Sequence, residues 1–374
     1  MKRTLIALGV AATVALPVAA QAAPKVYGKL NLSVQNVDPD YVTPAPATAS
    51  DVWEVRSNAS RFGVKGEDEL TATLSAIYQI EWEVSGSGSG DSAADLAARN
   101  RYVGIKHNDF GNIKLGKIDT YVKQAEGKID QFNDLPGDID KVIGAQAGPA
   151  RPNNVIDYTS PKIVDAVTIG VQLIQGENTV AVGSSAADPD TGLADAISTS
   201  VVYNDDTLYL ALGYDKDVPT RFAAFNSGNG FKANTIRAAG SYSLKDLGLS
   251  LGAIYQTSKS SDLATGPETK EDGWIVSAAF KFAEAWVAKA QYGQSTNEAP
   301  RGVSPAAGQT AASATQSAAV NTGGDVDLSA ASLGLDYNFT SKTRAFGFYT
   351  LANRSNNTQD LDTTSYGIGI DHSF

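Results

Sequence analysis

Apolar and polar residues alternate with period two along most of this chain, a pattern that predicts strands. At one end Tyr366, Ile368, Ile370, His372 and Phe374 share a face, while Gly367, Gly369, Asp371 and Ser373 share the other. The same alternation sets Trp274, Val276, Ala278, Phe280 and Phe282 against Ser277 and Lys281. It sets Ile236, Ala238, Gly240, Tyr242 and Leu244 against Arg237, Ser241 and Ser243, and Leu333, Leu335, Tyr337 and Phe339 against Gly334, Asp336 and Asn338. One such strand would also suit the inner face of a sandwich. Many of them, with aromatic residues at the ends of their apolar faces, suit a sheet with lipid on one side and water on the other.

Strands are predicted near 25–37, 52–66, 71–84, 99–108, 112–120, 153–160, 167–176, 196–204, 207–216, 233–244, 249–259, 272–282, 285–296, 327–339, 343–353 and 364–374. The fold class that follows is all-β: a sixteen-stranded antiparallel transmembrane β-barrel. The links alternate in length. Short turns are read at Glu67–Glu69, Asp109–Gly111, Asn204–Asp206, Lys245–Gly248, Ala283–Ala285 and Thr340–Lys342. Long polar stretches lie between them, at Ser85–Ala98, Thr179–Asp195, Asp217–Lys232, Ser260–Glu271 and Asn297–Asp325. Outer-membrane barrels have short turns on the periplasmic side and long loops outside. Aromatics mark two levels: Phe280, Phe282, Tyr242, Trp286, Tyr337, Phe339 and Phe374 at the turn ends, and Trp274, Tyr292, Tyr255, Tyr214 and Tyr366 nearer the loop ends. Such rings favour the membrane interface, being apolar in part and tolerant of water in part.

The first 22 residues read as a signal peptide. Lys2 and Arg3 precede an apolar run from Leu5 to Leu16, and Ala20-Gln21-Ala22 supplies the small-x-small cleavage pattern. That leaves residues 23–374 for the barrel. Without Lys2 and Arg3 the net charge moves from −11 to −13, which argues against nucleic acid as a partner. Taken alone that charge favours cations in a pore, but charges beyond about 10 Å are screened at ordinary salt. Cysteine is absent, so no disulfide supplies stability, whereas a closed hydrogen-bonded cylinder can.

Four stretches resemble the general diffusion porins of Gram-negative bacteria. Lys25-Val-Tyr-Gly-Lys-Leu30 is similar to that family's first strand. Ser60-Arg-Phe-Gly-Val-Lys-Gly66, continuing through Glu67 to Tyr78-Gln-Ile-Glu81, resembles its next hairpin. Arg99-Asn-Arg-Tyr-Val-Gly-Ile-Lys106 with Phe110-Gly111 and Leu115-Gly-Lys117 resembles the following pair. Arg151-Pro-Asn-Asn-Val-Ile-Asp-Tyr158 with Ser160-Pro161 resembles the sixth strand, and Phe374 resembles the C-terminal targeting signal. The likeness is strong over residues 23–176 and at the last strand; between them it rests on architecture.

The resemblance implies a passive channel for small hydrophilic solutes, a homotrimer contacting outer-membrane lipid and lipopolysaccharide, and a third loop, residues 120–150, folded inward to constrict the barrel. It sets acidic loop residues Glu126, Asp130, Asp134 and Asp138 against a basic wall of Arg61, Arg99 and Arg151, to which parity adds Lys29. The parity of Arg61 and of Arg151 supports an inward direction. Arg99 conflicts, sharing parity with Val103 and Ile105; either a bulge re-aims it, or Arg101 or neither belongs to the wall.

Catalytic chemistry has little to work with. His107 is placed beside a periplasmic turn and His372 on a lipid-facing strand end, neither with a partner for a Ser-His-acid site. No cofactor or metal is implied: Asp188-Pro-Asp190-Thr-Gly192 has only part of a calcium loop. A substrate-selective channel would need an arginine or aromatic track along its lining, and none is clear in the sequence. An adhesin or structural barrel would need a plugged lumen, whereas inward Gly, Ser and Ala suggest open space.

Overall fold

The computed structural model describes residues 23–41, 51–87, 96–143, 151–176, 191–220, 231–261, 269–298, 325–356 and 360–374. The expected signal peptide, the tail of the 120–150 loop and most of the long polar loops, including Asp188–Asp190, lie outside them.

Seventeen strand segments form one antiparallel sheet. They are β1 (Lys25–Tyr41), β2 (Val52–Ser57), β3 (Arg61–Thr71), β4 (Leu74–Val84), β5 (Leu96–His107), β6 (Gly111–Lys117), β7 (Val155–Thr159), β8 (Val167–Ile174), β9 (Ala196–Asn204), β10 (Leu208–Thr220), β11 (Phe231–Leu244), β12 (Leu249–Ser260), β13 (Lys270–Lys281), β14 (Trp286–Glu298), β15 (Val326–Asn338), β16 (Thr343–Ser355) and β17 (Asp360–Ser373). Both β2 and β3 pair with β1, through Val37↔Val52 to Leu32↔Ser57 and then Lys29↔Arg61 to Lys25↔Lys65. They are two halves of one stave, broken where Ala59 takes a left-handed φ of 48°. The barrel therefore has the sixteen staves that the alternation predicts.

Closure comes from β1 against β17, in register from Lys29↔Ser373 to Tyr41↔Leu361. The Gly28 amide donates to the Phe374 carbonyl at 3.1 Å and the Phe374 amide to the Gly28 carbonyl at 3.0 Å. The last residue thus lies on the closing seam. Among the described residues every strand segment but β2 pairs on both sides, β2 pairing with β1 alone, so the sheet closes on itself and satisfies its backbone within the cylinder.

The outward face is apolar and exposed, as at Ile368, Ile370, Leu333, Leu335, Leu251 and Val276. Its interfacial rings touch one another: Trp286 and Tyr337 lie 4.8 Å apart between centroids, Trp274 and Tyr292 5.5 Å, and Trp53 and Tyr366 5.6 Å. The opposite face carries buried polar residues such as Gln172, Ser198, Gln256 and Ser332. Lipid rewards the first set, and polar partners on the inner side, such as Asp157 for Gln172, Arg237 for Gln256 and the Tyr121 amide for Ser198, satisfy the second, so period two follows from the two surroundings.

One turn falls elsewhere than expected. The hairpin near Glu67–Glu69 actually turns after Thr71, because Glu67, Asp68 and Glu69 stay in register with Ile77, Ala76 and Ser75. Glu67 then accepts from Lys106 Nζ at 2.8 Å, a partner two strands away. The turn after β11 ends on Gly248 with φ 65°, the left-handed residue that closes a short helical turn.

Candidate functional site

Residues 118–143 connect β6 to the chain leading into β7, and they pack on residues of the inner face. Thr120 caps a single helical turn, α1 (Tyr121–Gln124), accepting from the Lys123 amide. Beyond it Ala125, Ile129, Ile139, Val142 and Ile143 form an apolar cluster with Ala211, Ala239, Ile254, Ile275 and Ala330 of the wall. Phe132 and Leu135 form a second cluster with Phe346 and Phe348. Wall side chains also bond the segment's backbone. Ser277 Oγ donates to the Ile129 carbonyl at 2.6 Å, Ser295 Oγ to the Val142 carbonyl at 2.5 Å, and Gln291 accepts from the Gln131 amide at 2.9 Å.

Inner-face glycines make the sockets for this packing. A Cβ at Gly170 would meet the Tyr121 ring at 2.2 Å, one at Gly252 would meet Ile129 at 2.9 Å, and one at Gly273 would meet Ile143 at 2.3 Å. At Gly213 it would meet the Val122 backbone at 3.0 Å, and at Gly334 the Phe132 ring at 2.9 Å. These glycines are not open space, as the sequence suggested. They let another segment approach the wall.

The acidic residues divide into two kinds. Asp134 reaches the wall: Lys29 Nζ lies 3.5 Å and Arg61 Nη2 3.2 Å from the same Oδ2. Its φ of 67° is left-handed, a conformation Asp tolerates better than most side chains. Glu126 also reaches the wall, 3.4 Å from Arg237 Nη1. By contrast, Asp130 accepts from the Phe132 amide at 2.9 Å, the Ile139 amide at 3.3 Å and Gln291 Nε2 at 3.1 Å. Asp138 accepts from the amides of Asp134 at 2.7 Å and Asp140 at 2.8 Å. These two carboxylates shape the segment's own backbone.

Burial pushes the Glu126 carboxyl up to about 7, with Arg237 pulling the other way. Burial also raises Asp130, and raises Asp138 well above the usual carboxylate range with Asp140 and Asp130 adding repulsion. At the start of the segment burial opposes ionisation of Asp119, yet Arg151 and Lys123 hold it below its ordinary value.

The four expected wall bases also divide. Lys29 and Arg61 share Asp134. From Lys29 the chain of charges continues along the wall: Asp371 at 3.7 Å, then Arg344 to Asp371 at 3.2 Å, Arg344 to Asp336 at 2.5 Å, and Lys289 to Asp336 at 3.0 Å. Arg99 instead bonds Glu81 and Glu83 on the neighbouring strand, each at 2.7 Å. The register slips there, with Ile80 opposite Arg101 but Trp82 opposite Ala98. That bulge resolves the parity conflict: Arg99 joins Glu81 on the inner face. Arg101 shares the outward face with exposed Ile80 and stands 5.1 Å over the Trp82 ring, so it does not belong to the wall. Arg151 meets none of the four acids expected of the loop; its Nε lies 2.8 Å from Asp119.

Arg237 was the residue missed. It is 1% exposed and donates to Gln256 at 2.8 Å, and Gln256 donates in turn to Glu271 at 3.1 Å. Its parity marks it as inward, but nothing in a sequence says which inward arginine a distant loop will cover. His107 Nδ1 accepts the Asp109 amide at 3.1 Å and His372 Nδ1 lies 2.8 Å from Thr343 Oγ1, both at turn ends as expected.

A family model described as Gram-negative porin matches residues 7–374. An outer membrane porin protein of Bordetella pertussis is 25% identical over 405 aligned residues, covering 100% of both chains. The major outer membrane protein P.IB of Neisseria sicca is 32% identical over 136 residues, 35% of each chain. Among solved structures, an anion-selective porin from Comamonas acidovorans superposes with a TM-score of 0.67 at 17% identity, covering 94% of this chain and 99% of that one. The trimer form of OmpT from Vibrio cholerae gives 0.62 at 16% identity, with 94% and 99% coverage. Closed barrel, apolar belt and a match along almost the whole sequence agree: this chain belongs to the Gram-negative porin family and forms an outer-membrane channel for passive diffusion of solutes.

Proposed function

We propose that residues 118–143 fold inward to constrict the channel, and that the solutes it passes are small and hydrophilic. The observation that carries this is the Asp134 carboxylate, approached from the wall by Lys29 on β1 and Arg61 on β3. Charges held opposite one another beside a narrow water path set up a transverse field. Polar solutes align in that field, while apolar solutes must disturb ordered water. In this reading Lys29, Arg61 and Asp134 face the path. Arg99 stiffens the wall behind them through Glu81 and Glu83. Arg151 with Asp119, and Arg237 with Glu126, anchor the segment, while Asp130 and Asp138 fix its shape.

The channel performs no chemistry of its own in this proposal, and needs no cofactor. Assembly as a homotrimer is supported by the likeness to the trimeric OmpT form, and contact with lipid and lipopolysaccharide belongs to the same proposal through the exposed apolar outer face. Single-channel recording in planar bilayers tests the reading. Large ohmic steps with weak selectivity are expected. Absence of conductance, or saturable block by one solute at micromolar concentration, overturns it.

A further inference from the structure

The strand register places four cations on the inner face of β1 and β3. Lys29 pairs with Arg61 and, four residues toward the short-turn end, Lys25 pairs with Lys65. Four residues of strand span about 13 Å. Like charges directly opposite one another destabilise a sheet, so their presence calls for a use. The upper pair has Asp134. Among the described residues no carboxylate lies within ion-pair distance of Lys25 or Lys65, and both are exposed.

The surroundings of the lower pair are built. Tyr27 lies across Gly63, where a Cβ would meet its hydroxyl at 2.8 Å. That hydroxyl donates to Glu81 at 2.9 Å, and Lys65 Nζ stands 4.8 Å from the ring centroid. Register then continues the row from Lys65 to Gln79 and from Gln79 to Tyr102, whose hydroxyl donates to Gln79 at 3.3 Å. The nearby acids are committed elsewhere: Glu81 to Arg99 and Tyr27, Glu67 to Lys106. The result is a shelf with two unneutralised ammonium groups, an aromatic ring and hydrogen-bonding side chains.

We propose that this shelf is a weak binding site for small solutes carrying a phosphate or carboxylate, on the short-turn side of Lys29 and Arg61. An oxyanion held between Lys25 and Lys65 relieves their repulsion, and passes next to the Lys29–Arg61 pair. The site rests on the channel reading above.

The test uses the full-length protein in planar bilayers, with potassium chloride gradients and inorganic phosphate as probe. Wild-type protein should show reversal potentials shifted toward anions and a chloride current reduced by millimolar phosphate. Lys25→Gln with Lys65→Gln should lower the anion-to-cation permeability ratio by about fivefold for each charge removed, the factor for a unit charge at about 4 Å in water. It should also abolish the phosphate effect. Lys245→Gln, at an exposed turn beside Asp206, serves as control and should change neither. Heat-modifiable migration on gels reports that each variant has folded. A folded double variant with unchanged reversal potential and unchanged phosphate response overturns the site. A wild-type protein without conductance overturns the channel reading instead.

Discussion

Replacing Gly213 with valine should push the 121–143 segment off the wall while leaving the barrel intact. A Cβ at this position would stand 3.0 Å from Val122 Cα and 3.3 Å from the Tyr121 carbonyl oxygen. Both are backbone atoms and cannot rotate aside. Val122 is fully buried beneath them. Overpacking of this kind costs about 1–3 kcal/mol, which weakens attachment by about 5- to 150-fold. The strand itself should not suffer, since valine suits a strand better than glycine on a scale spanning about 1 kcal/mol. Single-channel recording should therefore show larger and noisier steps, and trypsin should cut at Lys123 or Lys128 faster than in the parent, at unchanged barrel melting. Gly347→Val is the control, because its nearest neighbour is 3.7 Å away and no part of the segment touches it. Indistinguishable conductance and digestion in the two variants would refute the socket argument.

Other substitutions separate the acids by role. Asp134→Asn should shift the reversal potential toward anions by leaving Lys29 and Arg61 without their shared carboxylate; an unchanged potential would remove Asp134 from the path. Asp130→Asn should instead loosen the segment, because its carboxylate bonds the amides of Phe132 and Ile139, and hydrogen exchange there should rise more than selectivity moves. For Glu126, burial raises the folded value from 4.5 to about 7, so the native state holds a proton the unfolded chain lacks between those values. Attachment should strengthen as pH falls through 7 toward 4.5, by about 3 kcal/mol in all. Exchange protection measured at pH 5 and pH 8, corrected for intrinsic rates, tests this, and Glu126→Gln should flatten the slope. Deleting Phe374 removes both backbone bonds to Gly28 at the seam, and should lower the yield of folded barrel in refolding assays.

Alternation alone determined the sixteen staves, the lipid-facing side of each and the aromatic ends, because lipid and water sort side chains residue by residue. It also gave Lys29 and Arg61 the parity with which both meet Asp134, since no register slip separates either from the residues that orient it, Leu30 and Leu32 for one and Gly63 and Lys65 for the other. Tertiary structure decided the rest. Arg99 was ambiguous because its direction depends on a register slip against β4, which is a property of two strands and not of one. Arg237 became an anchor only because the path of a segment more than a hundred residues away covers it. Asp130, Asp134 and Asp138 look equivalent as a string of acids; backbone geometry gives Asp134 to the wall's bases, keeps Asp138 within the segment and divides Asp130 between the segment's amides and Gln291 of the wall. The inner glycines read as empty space for the same reason. A missing side chain is visible in a sequence, but what moves in to fill its place is not.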